Sequence, residues 1–320
     1  MNKRRTTAQA SNRAAASRAA LLVATLIAMT GCADFPPALP TPSPTPTSQT
    51  AQPTPRTRLA LITDFGTCDE GEQWVADQVE SWDVDAIITT GDNTQNEGCV
   101  PWQDSVWKYY DGADGTPNPP FWPTLGNHDY SDPGAGLDNY RAAFPYLPTD
   151  ADPQQRWYTQ VIGLTTIYSI NTESTPEELE AQRVWLQKTL TEQRTAHPDN
   201  WNLVLFHRPA YTSGTHEPMR SMRPEAGWDY RGWGADIVLS GHQHLYEDIV
   251  VDGMHYVTTG LGGTANFREC PATLREGSRL CLEGTGGMRV EATPRTLSLE
   301  YFQQGSTGQP KITDTIQLKR

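Results

Sequence analysis

What most narrows the possible folds of this chain is a pattern repeated at five separated places. In each, a short apolar run stops at a residue whose side chain can bind a metal. Residues 59–63 (LALIT) stop at Asp64, and 85–90 (DAIITT) pass through Gly91 into Asp92. Residues 121–125 lead into Gly126-Asn127-His128-Asp129, 203–206 (LVLF) into His207, and 235–239 (ADIVL) towards Gly241-His242-Gln243-His244. Each run has the length and composition of a buried strand. Between them lie helical patterns. Trp74, Val75, Val79 and Trp82 recur at helical spacing, and Thr175-Pro176-Glu177-Glu178 resembles a capping box that opens a helix carrying Leu179, Val184, Leu186 and Leu190. Residues 157–170 read as a strand pair turning at Gly163, and 247–318 read as β-rich. Alternating strands and helices make an α/β fold with parallel strands. Such sheets bind ligands beyond the carboxyl ends of their strands, where these polar residues fall.

Taken singly, several of these residues suit other roles. Asp64 would cap a helix or turn, Asp92 after Gly91 and Asn127 after Gly126 sit well in turns, and His207 would satisfy a core. Two imidazoles one residue apart, His242 and His244, seldom serve packing. Carboxylate, carboxamide and imidazole together suit Zn, Mn or Fe. Six such donors exceed the needs of one tetrahedral ion. They suit two divalent ions about 3.5–4 Å apart sharing a carboxylate.

Charge limits what the chain can bind. The 320 residues carry a formal net charge of −13. The first 20 residues hold five cations (Lys3, Arg4, Arg5, Arg13, Arg18) and no acid, so the remainder stands at −18. So acidic a body repels phosphate backbones and argues against nucleic-acid binding. It also implies that an anionic substrate must find its positive charge in something other than Lys and Arg.

The N-terminus reads as an export signal over residues 1–31. The basic stretch leads into an apolar run of eleven residues, 19–29 (AALLVATLIAM). That is too short to span a bilayer and suits a signal-peptide core. Met29-Thr30-Gly31-Cys32 resembles a bacterial lipobox, which implies a lipidated Cys32 and an extracytoplasmic, membrane-anchored lipoprotein. The alternative is ordinary cleavage nearby, leaving Cys32 a spare thiol. Arg4-Arg5 allows a twin-Arg signal, although the apolar residues expected just after the pair are absent. Residues 32–57 form a linker. Eight of the 23 residues from 35 to 57 are Pro, which gives an extended tether unable to form a core. The globular domain is then 58–320.

Five cysteines less Cys32 leave Cys68, Cys99, Cys270 and Cys281. An even number in an exported chain suggests two disulfides, with Cys68–Cys99 and Cys270–Cys281 preferred among three connectivities. A thiolate metal ligand is the competing use.

The ordered motifs resemble the calcineurin-like metallophosphoesterase superfamily, and within it the purple or tartrate-resistant acid phosphatase branch. The motifs are Asp64-Phe65-Gly66, Gly91-Asp92-Asn93-Thr94-Gln95, Gly126-Asn127-His128-Asp129, Phe206-His207-Arg208-Pro209 and Gly241-His242-Gln243-His244. The resemblance extends from Leu59 to the end of the chain. It implies a four-layer α/β/β/α sandwich of two mixed sheets flanked by helices, holding two divalent metal ions. It implies that Asp92 bridges both ions, that Asp64 and His244 bind the first, and that Asn127, His207 and His242 bind the second. His128 would contact the phosphate and protonate the leaving oxygen, and His216 would be a second substrate-facing histidine. The implied activity is hydrolysis of small phosphate monoesters by metal-activated hydroxide. The alternatives are a phosphodiesterase or nucleotide hydrolase on the same centre, or a binding relative that has lost the first metal. One departure bears on these choices. The branch places a Tyr where Gln95 stands, and the wider superfamily uses Asp-x-His where Gly66 stands, so the first metal lacks a ligand by both routes.

Overall fold

The computed structural model describes residues 54–95, 106–110, 118–130, 137–264 and 266–320. Cys32, Cys99 and the whole of the proposed signal segment lie outside these residues.

The described residues form two mixed sheets. In the first, β1 (Thr57–Ile62), β2 (Ala86–Thr89) and β3 (Phe121–Trp122) run parallel. β11 (Gly286–Ala292), β12 (Thr296–Gln304) and β13 (Pro310–Lys319) extend it antiparallel, giving the order β13-β12-β11-β1-β2-β3. The second has the order β10-β8-β9-β7-β6-β5-β4. It contains β4 (Tyr158–Ile162), β5 (Thr165–Ile170), β6 (Trp201–Phe206), β7 (Ile237–Ser240), β8 (Tyr246–Val251), β9 (Met254–Thr259) and β10 (Ser278–Leu282). Strands β5, β6, β7 and β9 are parallel neighbours. The helices are α1 (Glu70–Ser81), α2 (Lys108–Tyr110), α3 (Leu137–Ala143), α4 (Pro176–Ala196) and α5 (Tyr230–Trp233). Two mixed sheets with flanking helices are the expected metallophosphoesterase sandwich.

The pleat explains the layering. Successive side chains of a strand point to opposite faces. On β6, Leu203 and Leu205 join one core with Leu59, Leu61, Ile87 and Val290 of the first sheet. Val204 and Phe206, on the other face, pack with Leu186 and Leu190 of α4. β7 splits alike, with Ile237 and Leu239 inward and Val238 outward. A strand covered on both faces reads as a continuous apolar run, which is why these strands were legible in the sequence.

Local signals set the helix starts. Thr175 Oγ1 accepts from Glu178 N at 3.2 Å while Glu178 Oε2 accepts from Thr175 N at 3.1 Å, a complete capping box. The start of α1 is capped by Asp69, whose Oδ1 accepts from Gly71 N and Glu72 N. The expected strand at 121–125 is shorter than its apolar run: β3 ends at Trp122. Pro123 cannot donate to a ladder, and its carbonyl instead accepts from the Tyr140 and Tyr158 hydroxyls at 3.1 and 2.8 Å. No helix among the described residues is long and apolar enough to cross a membrane.

Candidate metal centre

Parallel strands deliver their following loops to one edge of each sheet, and the two edges meet. Asp64 follows β1, Asp92 follows β2 and Asn127 follows β3. From the second sheet, His207 follows β6, and His242 and His244 follow β7. Contacts cross between the sheets: His242 N donates to Asp64 Oδ2 at 3.0 Å, and His207 Nε2 lies 3.2 Å from both Asp92 Oδ2 and Asn127 Oδ1. His244 Nε2 lies 3.4 Å from Asp64 Oδ1. Asp92, His207 and His242 each bring a donor atom within 4.8 Å of the others'.

The backbone is strained where these groups converge. Asp64, Asp92 and His242 all have left-handed φ, at 53°, 48° and 69°. Residues with a Cβ seldom adopt that region, and such strain clusters at functional sites. The turns are also tight. A Cβ on Gly126 would meet Asp92 N and Oδ1 at 2.3 Å, and one on Gly241 would meet Asp64 Oδ2 at 2.5 Å.

Hydrogen bonding fixes which imidazole nitrogen faces inward. His207 Nδ1 lies 2.9 Å from Thr90 O, and His244 Nδ1 lies 2.8 Å from Asn266 O. A carbonyl only accepts, so each Nδ1 carries a proton, and each Nε2 faces the carboxylates, where it donates until a metal takes the place of its proton. A backbone carbonyl behind a histidine is the usual outer support of a metal-ligating imidazole. His242 differs: its Nε2 meets Arg208 Nη1 at 3.0 Å, while Arg208 is held by both Glu173 oxygens at 2.6 and 3.0 Å.

Charge around the centre is unevenly matched. Burial tends to raise Asp64, but a hydrogen bond to His244 and the charges of His207 and His244 hold it at about 2. Burial tends to lower His207, yet the Asp92 charge and hydrogen bond, with Asp64 and the Thr90 carbonyl, bring it to about 9. Burial and the neighbouring His207 and Arg208 charges push His242 down to about 2. The two buried carboxylates are thus balanced by imidazole protons, which a divalent ion would replace. Inward Nε2 atoms, buried carboxylates and a nearby carboxamide oxygen fit a pair of hard or borderline divalent ions.

Gln95 lies at the centre. Its Nε2 reaches Asp92 Oδ2 at 3.0 Å and Asp64 Oδ1 at 3.4 Å, so this side chain spans the two carboxylates. Gly66 cannot host the superfamily's histidine without rebuilding. Its φ is 74°, and a Cβ there would sit 2.4 Å from Asn93 O.

The two further histidines flank an open cleft of about 460 Å³. His128 N donates to Asp92 Oδ1 at 2.8 Å, and its imidazole is 43% exposed, with Nε2 3.9 Å from Asp92 Oδ2. His216 is stacked on His242 at 4.5 Å between ring centroids. Buried Gln243 holds it there, donating to His216 O at 2.7 Å and accepting from His216 N at 3.3 Å. Burial first, then the Arg268 charge, lowers His216. Of the cysteines, Cys270 and Cys281 form a disulfide, and Cys68 is also disulfide-bonded, while its expected partner Cys99 lies outside the described residues.

Sequence reasoning passed over several supports. Asp129 is buried and accepts from Asn93 N, Asn93 Nδ2 and Gly126 N at 2.8–2.9 Å, tying the Asp92 turn to the Asn127 turn. Burial and the Asp92 charge raise it to about 7. Its place beside Asn127-His128 was the available signal. Arg268, which lines the cleft, carried none, and it qualifies the expectation that positive charge must come from elsewhere than Lys and Arg.

Comparison with known proteins finds the same fold. Purple acid phosphatase 3 of Arabidopsis thaliana is 22% identical over 250 residues, covering 70% of this chain and 66% of that protein. The structure of a purple acid phosphatase from yellow lupin (Lupinus luteus) seeds superposes with a TM-score of 0.65 at 20% identity, covering 83% of this chain and 54% of that one. The chain therefore spans about half to two thirds of these phosphatases. The Plasmodium protein GAP50, described as the anchor in the inner membrane complex, superposes with a TM-score of 0.65 at 17% identity, covering 83% and 89%. The sequence profile for calcineurin-like phosphoesterases matches residues 57–246, from β1 through both inward-facing histidine turns. With that match across more than half of its length, the chain belongs to the calcineurin-like phosphoesterase family.

Proposed function

We propose that this phosphoesterase hydrolyses phosphate monoesters outside the cell, tethered to a membrane through lipid on Cys32. The observation that carries the hydrolytic reading is the convergence of Asp64, Asp92, Asn127, His207, His242 and His244 from five strand ends beside a cleft that also holds His128 and His216. When bound there, two divalent ions (Fe, Mn or Zn) supply positive charge for a phosphoryl group and acidify a water for in-line attack. Asp64 with His244 would hold one ion, Asn127 with His207 and His242 would hold the other, and Asp92 would be available to both.

The remaining steps belong to the chain's own side chains. The main chain of His128 is pinned to Asp92, which leaves its imidazole at the cleft wall. As an imidazolium it donates to a phosphoryl oxygen and passes its proton to the departing alkoxide. His216, braced by Gln243, offers a second nitrogen to the substrate. Gln95 contributes no negative charge, so the first ion is bound more weakly than beside a phenolate and without tyrosinate colour.

A substrate panel tests this reading. The metal-loaded protein should hydrolyse 4-nitrophenyl phosphate with a kcat/KM well above that for bis(4-nitrophenyl) phosphate. A large preference for the diester would overturn the monoester assignment in favour of a diesterase or nucleotide hydrolase. A second reading rests on Gln95 alone: a binding relative without turnover. About one ion per chain and no hydrolysis of any phosphate ester would establish it. The anchoring rests on the sequence of the signal and linker. Detergent-phase partition should be lost in Cys32→Ala, and its retention would refute lipidation.

A further inference from the structure

We infer that Arg268 reads a second anionic group on the substrate, so that the preferred esters are those whose leaving group itself carries a phosphate or carboxylate. This rests on the phosphoesterase reading and specifies its substrate class. Among the described residues that line the cleft, Arg268 is the only Lys or Arg. Its side chain makes no hydrogen bond or ion pair among the described residues, and its Nε is covered from solvent with no partner. A buried donor left unpaired is costly, and the guanidinium that carries it belongs to a side chain lining an open cleft, where a ligand can supply acceptors to the rest of its fork. Arg268 therefore differs from Arg208, which is engaged by Glu173 and His242.

The position is fixed rather than incidental. Arg268 N donates to His244 O at 2.9 Å, and His244 Nδ1 bonds Asn266 O at 2.8 Å, so segment 266–268 is clipped to His244 from both sides. Two residues further on, the Cys270–Cys281 disulfide ties the segment to β10. The Arg268 charge is felt at His216, the histidine stacked on His242. Asp69 also lines the cleft, but its Oδ1 is committed to the start of α1. The reacting phosphoryl group is provided for by the metal donors and His128. A planar guanidinium beside it, matched to carboxylate or phosphate by its fork of donors, remains for a second anion.

The test compares three substrates on metal-loaded Arg268→Gln and wild-type protein: 4-nitrophenyl phosphate, fructose 1,6-bisphosphate and 3-phosphoglycerate. A charged hydrogen bond lost at this site should lower the kcat/KM of an anionic-leaving-group ester relative to 4-nitrophenyl phosphate by about 10-fold or more. A fall in the fructose 1,6-bisphosphate ratio identifies phosphate, and a fall in the phosphoglycerate ratio identifies carboxylate. If neither ratio moves, the inference is wrong, even where all three rates drop together. Arg268→Lys should recover only part of the ratio, because an ammonium lacks the fork. Calorimetry gives a readout without turnover: the affinity for pyrophosphate relative to inorganic phosphate should fall about 10-fold in Arg268→Gln. An unchanged affinity ratio overturns the inference. A protein that hydrolyses no ester but shows the affinity change would instead sink the hydrolytic reading alone.

Discussion

Asp92→Asn is the substitution with the most to say about the centre. Asp92 is 1% exposed, accepts from His128 N at 2.8 Å and Gln95 Nε2 at 3.0 Å, and approaches His207 Nε2 to 3.2 Å. The change keeps shape and removes charge. Of the donors assembled here, Asp64 and Asp92 alone are anionic, so the ligand charge offered to two divalent ions halves. Loss of a supporting residue outside the ligand set already weakens metal binding about 10–100-fold. A shared ligand should weaken both sites by at least the upper value, roughly 3 kcal/mol each. Wild-type protein held at about 100 times Kd gains about 2.7 kcal/mol from its metal. For a domain of this size that is a rise in Tm of about 5–10 °C. Asp92→Asn should gain less than about 2 °C and lose at least about 10³-fold in kcat. Its chelated form should melt below chelated wild type, because the change leaves the buried His207 imidazolium without its carboxylate partner. A differential scan with and without Mn²⁺ or Zn²⁺, alongside a phosphatase assay, reads all three. A full metal-induced rise in Asp92→Asn, with turnover retained, would refute the shared-ligand reasoning.

Two further substitutions test separate parts of the account. Gln95→Tyr, loaded with ferric iron, should acquire a visible absorption band absent from the wild type, since the side chain at 95 lies against both Asp64 and Asp92; an iron-loaded variant without the band would show that the position does not face the metal. Glu72→Gln concerns stability. Glu72 is fully buried, accepts from Cys68 N at 2.8 Å through Oε2, and leaves Oε1 without a partner. Burial raises it to about 8, so between its unfolded value near 4.5 and about 8 the folded state holds a proton that the unfolded chain releases. Stability should therefore fall as pH rises across that window, by at most about 5 kcal/mol. In chelated protein, the drop in Tm between pH 5 and pH 8.5 should shrink by several degrees in Glu72→Gln, and an equal drop in both proteins would contradict the burial argument.

The legible part of this protein was the set of groups that follow directly on buried strands. Asp64, Asp92, Asn127, His207, His242 and His244 sit one to five residues past apolar runs, so knowing where each strand stopped was enough to place them at a common edge. What eluded the sequence depends on contacts between distant segments. The position of His216 is set by the amide of Gln243, 27 residues away. Arg268 reaches the cleft because its backbone is clipped to His244, and nothing in Asn266-Phe267-Arg268 announces that. The apolar run at 121–125 suggested a longer strand because periodicity cannot see that Pro123 has no N–H to give. Asp69 caps α1 through its Oδ1, and an Asp standing beside Glu70 in a polar turn has no periodicity that marks it as a cap. Gln95 was recognised as a departure, but only the fold shows it spanning the two carboxylates.

The central claim is that five strand ends build a site for two metal ions that enables phosphate-ester hydrolysis. Metal analysis of purified protein, paired with 4-nitrophenyl phosphate turnover before chelation, after chelation and after adding back Mn²⁺, Zn²⁺ or Fe²⁺, tests it most directly. The account predicts close to two ions per chain, near-complete loss of turnover with the ions removed, and recovery on their return. Turnover that persists in protein stripped of metal would contradict it.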